Sequence, residues 1–147
     1  MSYLDCPSPH VWEERRAWFE SQEEEYRGQG NYFVGEQACA LLAEVQSAFC
    51  AGAWATVIIV ALAVIDAQLR ETEVADFKGS TEKLLVEAGV NPKVQRLRRR
   101  RNALIHVDPD NPAITVDQQL SNRNQLELEA REAVTLMFEA FYVGPWL

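Results

Sequence analysis

The sequence of 147 residues contains few of the side chains that build metal centres and disulfide frameworks. It has two histidines and three cysteines, and no C-x-x-C spacing joins Cys6, Cys39 and Cys50. An odd number of widely spaced cysteines argues against a disulfide framework and a structural zinc site. Two histidines are too few for a multi-histidine metal centre within one chain. We therefore predict no metal and no cofactor, and the free thiols predict a cytoplasmic location.

Positive charge is also scarce, since 14 Lys and Arg residues stand against 22 Asp and Glu residues, a formal net charge of −8. This balance argues against a protein that coats nucleic acid non-specifically, because such binding depends on neutralising phosphates. The phosphate-binding patterns G-x-x-x-x-G-K-[ST] and G-x-G-x-x-G are absent, and so is the G-x-S-x-G elbow of α/β-hydrolases. The sequence thus disfavours nucleotide hydrolysis, dinucleotide binding and serine-hydrolase chemistry.

The segment Ala48–Ile65 holds 18 residues without a formal charge, which is at the lower limit for a membrane span. The basic residues nearest to it are Arg27 and Arg70, while acidic residues crowd both ends, so the flanks lack the charge asymmetry of a spanning helix. The N-terminus lacks the basic and apolar regions of a secretory signal. We predict no membrane segment and a helix buried on most of its faces, with a buried strand at Thr56–Val60 as the alternative.

Capping residues, glycines and apolar periodicity divide the chain into helices and turns. Ser8-Pro9 is a favourable helix start, Gly52 and Gly89 are predicted stops, and Asp108 is displaced from helical geometry by the proline that follows it. The pattern predicts a single all-α domain, a compact bundle of five or six helices. The predicted helices cover approximately residues 9–26, 33–50, 53–71, 82–88, 92–107 and 123–142.

The predicted helix over residues 92–107 carries five arginines and Lys93 but no acidic residue. We call these six basic side chains the cationic ridge. On a helical wheel Arg101 falls near the middle of the apolar stripe that is formed by Val94, Leu97, Leu104 and Ile105. An unpaired guanidinium in a dry core would cost several kcal/mol, so Arg101 needs a carboxylate, a polar cleft or a subunit interface. Asp66 is the best candidate for that carboxylate, and Glu71 and Glu73 are weaker ones.

Two polar side chains follow Arg101 on the same helix. Asn102 and His106 are four residues apart and share one side of it, and the imidazole of a histidine transfers protons near neutral pH. Such an arrangement would hold a phosphodiester, with RNA contacts expected from Lys93, Arg98 and Arg99. The alternative is structural, because runs of arginine are common on solvated faces and a histidine in a last helical turn often serves as a cap.

The segment Arg101-Asn102-Ala103-Leu104-Ile105-His106 resembles the R-x4–6-H motif of the HEPN superfamily, including the polar residue that commonly follows the arginine. The surrounding order is similar as well: an apolar helix ending in an acidic residue, a short helix, the motif helix and a closing amphipathic helix. The resemblance extends from about Gly35 to Phe141. It divides the single domain 1–147 into a HEPN-like core at about 33–142 and an N-terminal helical extension at 1–32.

This resemblance implies a helical bundle that forms a homodimer and acts as a metal-independent endoribonuclease. In that role His106 would be the general acid and base, and Arg101 would stabilise the charge on the phosphorane. Asn102 would orient the histidine or the phosphate, and Asp66 would hold Arg101 by a charge-assisted hydrogen bond. Attack by the 2′-hydroxyl would leave a 2′,3′-cyclic phosphate. The resemblance also implies a toxin or defence component, with an antitoxin or nucleotidyltransferase partner. The alternatives are a non-catalytic HEPN module that binds RNA, a nucleotide or a protein partner, and a structural bundle. Trp146 is a candidate dimer contact.

Overall fold

The computed structural model describes residues 3–144, so Trp146 lies outside the described residues. The all-α fold predicted from the sequence is confirmed, and the described chain forms seven α-helices. Six of these helices correspond to predicted ones, and the one that was not predicted is a short helix between the fifth and the last. The helices are α1 (Pro9–Arg27), α2 (Glu36–Ala51), α3 (Trp54–Gln68), α4 (Thr81–Ala88), α5 (Lys93–Ile105), α6 (Val116–Leu120) and α7 (Asn124–Phe141).

The ends of these helices follow local sequence chemistry. The hydroxyls of Ser8 and Ser80 accept hydrogen bonds from backbone amides in the first turns of α1 and α4. Gly52 ends α2 with a φ of 76° and Gly89 ends α4 with a φ of 66°. Both values lie in the left-handed region, which glycine adopts without steric cost. The short helix α6 begins at a capping box in which Thr115 and Gln118 bond to each other's backbone.

Helix α3 is the centre of the bundle and packs most extensively against α2 and α7. Its side chains are buried around most of its circumference, as expected for a helix whose one formally charged residue, Asp66, lies near its end. The predicted buried helix is therefore confirmed over the alternative of a strand at Thr56–Val60. No helix within residues 3–144 has the length and apolar character needed to cross a membrane.

The predicted third helix does not continue to Glu71 in α-helical form. It changes at Leu69 into a π-helical turn, Leu69–Glu73, which closes with the amide of Val74 bonded to the Leu69 carbonyl at 2.8 Å. The preceding residue, Gln68, is 1% exposed and is the buried polar residue of the described core. Its amide accepts from the Gly35 N–H and donates to the Phe33 carbonyl, both at 2.8 Å, so it fixes the start of α2 on the end of α3.

The N-terminal helix α1 belongs to the same core as the rest of the bundle. Phe19 is buried between Phe49 of α2 and Phe138 of α7, with ring centroids 5.9 and 5.1 Å away. Trp18 stacks on Phe49 at 5.0 Å, and the Arg131 guanidinium lies 4.5 Å from the Trp18 ring. These contacts place α1 against α2 and α7, which the sequence did not indicate.

The turn between α2 and α3 is held by two arginines that lie over one aromatic ring. Arg15 donates to the carbonyl of Cys50 at 3.1 Å, and Arg123 donates to the carbonyl of Gly52. Both guanidiniums lie over the Trp54 ring, at 4.9 and 5.7 Å from its centroid. We call this group of residues the Gly52 end of the bundle. Its two guanidinium groups donate hydrogen bonds to carbonyls at the end of α2 that have no partner within the helix.

Candidate functional site

Helix α5 leaves the core progressively from its beginning to its end. Val94 and Leu97 are buried, and the helix packs there against α3 and α4. Further along the same apolar stripe Leu104 is only partly buried, and Ile105 is 46% exposed. The predicted stripe is thus covered by the bundle only in its first half. Arg101 lies where the covered half meets the uncovered half.

Three arginines of the cationic ridge are paired within the bundle. Arg100 donates to Glu129 of α7 at 3.1 Å and to the carbonyl of Ala113 at 2.7 Å. The Arg98 side chain is 15% exposed and donates to Gln95 at 2.8 Å, with Glu82 at 3.9 Å. Finally, Arg96 lies 3.7 Å from Glu132 of α7. The ridge is therefore partly compensated by carboxylates from other helices, which lowers the charge that it offers to a ligand.

The other members of the ridge are Lys93, Arg99 and Arg101. Lys93 and Arg99 are exposed, and neither side chain forms a hydrogen bond or ion pair with another residue in the range 3–144. Of the three residues predicted to contact RNA, these two are free to do so. The third, Arg98, is held against Gln95 in this structure.

Arg101 lines a cleft of about 580 Å³ that lies between α5, α3, α4 and the first turns of α2. We call it the Arg101 cleft. Its floor consists of small and apolar side chains of α3, and its walls carry carboxylates from α2 and the π-helical turn. The lining residues are Glu36, Gln37, Ala40, Leu62, Ala63, Asp66, Ala67, Arg70, Glu71, Thr81 and Arg101.

Asp66 lines the same cleft as Arg101, but the hydrogen bonds of its carboxylate go to other residues. Arg70 donates to it at 2.8 and 3.3 Å, and the Thr81 hydroxyl donates at 2.8 Å. The structure here differs from the sequence-based expectation that Asp66 pairs with Arg101. The i,i+4 spacing of Asp66 and Arg70 was a signal for this pair, and Arg70 also ties the carbonyls of Phe77 and Gly79 to α3.

With Asp66 occupied, the guanidinium of Arg101 has no carboxylate partner among residues 3–144. Its Nε atom is buried without a hydrogen-bond partner, and so is the Nε atom of Arg123. Arg123, however, donates through Nη2 to Gly52 and lies over Trp54, whereas Arg101 has neither a carbonyl nor a ring contact within the described chain. A buried donor without a partner is costly, and the Nη groups of Arg101, which form no hydrogen bond or ion pair within the described chain, are the groups to which an anion entering the cleft could bind.

His106 is the residue that ends α5, with an extended backbone at φ −117° and ψ 110°. Its backbone amide donates to the Asn102 carbonyl at 3.0 Å, but its imidazole is exposed and forms no hydrogen bond to a residue between 3 and 144. The neighbouring Ile105 and Val107 are apolar and exposed, at 46% and 87%. The end of α5 thus presents a free imidazole between two uncovered apolar side chains.

Residues 101–106 provide a guanidinium without a carboxylate partner, an amide and an imidazole, and of these the guanidinium lines the cleft while Asn102 and His106 are not among its lining residues. Guanidinium groups stabilise developing negative charge on phosphate, and imidazole transfers protons at neutral pH. Within residues 3–144 no group of three His, Cys, Asp or Glu side chains is arranged to hold a metal ion.

Comparisons with protein-family models, curated proteins and solved structures find no match to this chain.

Proposed function

We propose that this chain is a metal-independent endoribonuclease of the HEPN type, with Arg101, Asn102 and His106 as its catalytic group. The observation that carries the proposal is the unpaired guanidinium of Arg101 on the cleft wall. It precedes a free imidazole by five residues on the same helix end. A scissile phosphate between these two groups would supply the anion that Arg101 lacks.

In the proposed reaction the 2′-oxygen of RNA forms a bond to phosphorus while the bond to the 5′-oxygen breaks. His106 accepts the proton of the 2′-hydroxyl and its conjugate acid donates a proton to the departing 5′-oxygen. Arg101 stabilises the negative charge on the phosphorane. Asn102 orients the phosphate or the imidazole, and Asp66 holds the cleft wall through Arg70 and Thr81.

The RNA strand on either side of the scissile phosphate would contact the free members of the cationic ridge. Lys93 and Arg99 are exposed and have no side-chain partner in the part of the chain that is described. Arg98 would contribute from its position against Gln95. With half of the ridge compensated and a net charge of −8, we expect a narrow RNA substrate or restraint by a partner protein.

A homodimer and a cytoplasmic location are further parts of this proposal. The exposed apolar side chains of Ile105 and Val107 beside His106 are suited to burial by a second subunit, which would bring two motif helices to one cleft. The three cysteines are free thiols, which the reducing cytoplasm maintains. A toxin or defence role with an antitoxin or nucleotidyltransferase partner is consistent with such an enzyme.

A non-catalytic module that binds RNA, a nucleotide or a protein partner is the second candidate. It is favoured by the imidazole of His106, which no side chain among residues 3–144 orients. Catalytic bases are usually oriented by a further group. Such a module would retain its RNA affinity without cleaving the strand, and its affinity would not depend on the imidazole.

The decisive experiment measures cleavage of labelled tRNA and mRNA in EDTA by wild type, His106→Ala and His10→Ala. His10 is the matched control because it is the other histidine of the chain and lies on α1, where it pairs with Glu14 at 3.0 Å. We expect fragments that end in 2′,3′-cyclic phosphate, and a rate reduced by about 10²–10⁴-fold only in His106→Ala. Equal rates for the three proteins would exclude the catalytic role of His106, and binding without cleavage would favour the non-catalytic module.

A further inference from the structure

A second concave site lies on a different flank of α5, in the groove between α5 and α7. It has a volume of about 170 Å³ and shares no lining residue with the Arg101 cleft. Its floor is apolar, and charged side chains of both helices stand around its rim. The floor residues are Ile58, Leu97, Ala133 and Leu136, and the rim residues are Lys93, Arg96, Arg100, Glu129 and Glu132.

The rim charges differ in how firmly they are held. Arg100 is fixed, because Glu129 and the Ala113 carbonyl accept its hydrogen bonds. The Arg96 and Glu132 side chains are 64% and 54% exposed and are 3.7 Å apart, which makes their ion pair weak. Lys93 has no side-chain partner among residues 3–144. The rim therefore offers two available cations, one of which is shared with a carboxylate that can move away.

The size of the groove restricts what it can hold. Typical small-molecule pockets measure roughly 300–1,000 Å³, so a groove of about 170 Å³ has room for one flat group of a larger molecule. An apolar side chain of a partner protein would fill the floor but leave Lys93 and Arg96 without an anion. A nucleotide within a strand provides both parts, because its base is flat and largely apolar on its faces and its phosphate is anionic.

We infer that the α5–α7 groove is a second nucleotide subsite, in which a base occupies the apolar floor and its phosphate displaces Glu132 from Arg96. The inference rests on the proposed function in taking the strand to be RNA. Along α5, Arg96 and His106 are ten residues apart, or about 15 Å at the rise of an α-helix. The subsite would thus hold a nucleotide some distance from the scissile phosphate, and Glu132 would be the internal competitor that sets the affinity.

The test measures binding of a single-stranded oligodeoxynucleotide by fluorescence anisotropy at several salt concentrations, for wild type, Glu132→Gln and Glu127→Gln. Glu127 is the matched control, because it lies on α7 and pairs with Arg131 instead of the ridge. We expect Glu132→Gln to bind several-fold more tightly, with a salt slope steeper by up to about 0.7, the value for one phosphate contact on a single strand. Identical changes in the two variants would overturn the inference, since they would reflect net charge alone.

A second arm tests the floor by replacing one base at a time with an abasic site in the same oligodeoxynucleotide. One position should bind several-fold more weakly, because the aliphatic floor of the groove is left uncovered when its base is missing, and uniform affinity at all positions would overturn the inference. The deoxy strand lacks the 2′-hydroxyl that cleavage requires, so these results are independent of the nuclease assay. If Glu132→Gln and one abasic position change the affinity as expected but RNA is not cleaved, the subsite is supported and the proposed function is contradicted. If RNA is cleaved but neither change alters the affinity as expected, the proposed function is supported and the subsite is contradicted.

Discussion

The Gly52 end of the bundle and the end of α5 both contain an arginine whose Nε atom is buried without a partner. At the Gly52 end, Arg123 compensates through its Nη2 atom, which donates to the Gly52 carbonyl, and through the Trp54 ring beneath it. Burial and the nearby Arg15 lower the pKa of Arg123, so the site is crowded with positive charge. At the end of α5, Arg101 faces a cleft, and no ring or carbonyl compensates it within the described chain.

The difference between these regions separates structural arginines from those available to a ligand. At the Gly52 end the cations close a turn between two buried helices, and a ligand would have to displace internal partners. At the end of α5 a ligand would displace only solvent and would supply a missing partner. The same residue type thus has opposite effects on stability in the two places, which mutations can measure.

The largest effect is expected when each arginine is replaced by methionine, which keeps a long apolar chain and removes the charge. Arg101→Met should lower the RNA cleavage rate by about 10²–10³-fold, because the phosphorane loses its cation. Its free energy of unfolding should stay constant or rise, since an unpaired buried donor is removed. Initial rates of cleavage and urea unfolding curves measure the two quantities.

Arg123→Met should show the reverse pattern. Its free energy of unfolding should fall by about 1–3 kcal/mol, because the Gly52 carbonyl loses a donor and Trp54 loses a cation. The cleavage rate per folded molecule should stay at the wild-type value. Equal loss of stability in the two variants would contradict the distinction between the two ends.

A loss of stability comparable to that of Arg123→Met is expected at the polar contact that fixes α2 on the end of α3. Gln68→Leu would leave the Gly35 N–H and the Phe33 carbonyl without the side-chain bonds that Gln68 provides. Because Gly35 is buried, the loss of the acceptor for its N–H should lower the free energy of unfolding by about 1–3 kcal/mol. Gln37→Leu is the control, because Gln37 is exposed in the first turn of α2. If chemical denaturation gave both variants the same stability, Gln68 would not be what holds the start of α2.

The helices were predictable from the sequence because their ends depend on nearby residues. Ser8, Gly52 and Gly89 act within one turn of the chain, and each one marks a helix end in the structure. The short helix α6 was missed although its capping box, Thr115 and Gln118, is a local signal. The π-helical turn has no comparable signal in the sequence, because its geometry depends on how Gln68 and its neighbours pack.

The partners of the arginines were less predictable, because they depend on which helices meet. The position of Arg101 in a mostly apolar stripe followed from helical periodicity, and its place at a cleft agrees with that reasoning. The tertiary structure was needed to show that Asp66 pairs with Arg70. It was also needed to show that Arg96 and Arg100 pair with carboxylates of α7. The catalytic and RNA-binding roles of these residues stay predictions.

The smallest expected effect is on the alkylation rates of two cysteines, one in each region. Burial raises the pKa of the Cys50 thiol at the Gly52 end. The pKa of Cys39, beside the Arg101 cleft, is raised by desolvation and then by the charges of Glu71 and other acidic residues. Cys39 is nevertheless exposed, so iodoacetamide should alkylate it slowly in the folded protein, whereas Cys50 should react only on unfolding.

The charge contribution at Cys39 can be isolated by neutralising one wall of the cleft. Glu71→Gln removes a negative charge that disfavours the thiolate, so the pKa of Cys39 should fall and its alkylation at mildly alkaline pH should become faster. Glu44→Gln is the control, because Glu44 lies on α2 but is not among the charges that raise the pKa of Cys39. An unchanged rate in Glu71→Gln, measured by mass spectrometry over time, would mean that burial alone protects Cys39. The carboxylates of the Arg101 cleft would then be too well solvated to influence an anion bound there.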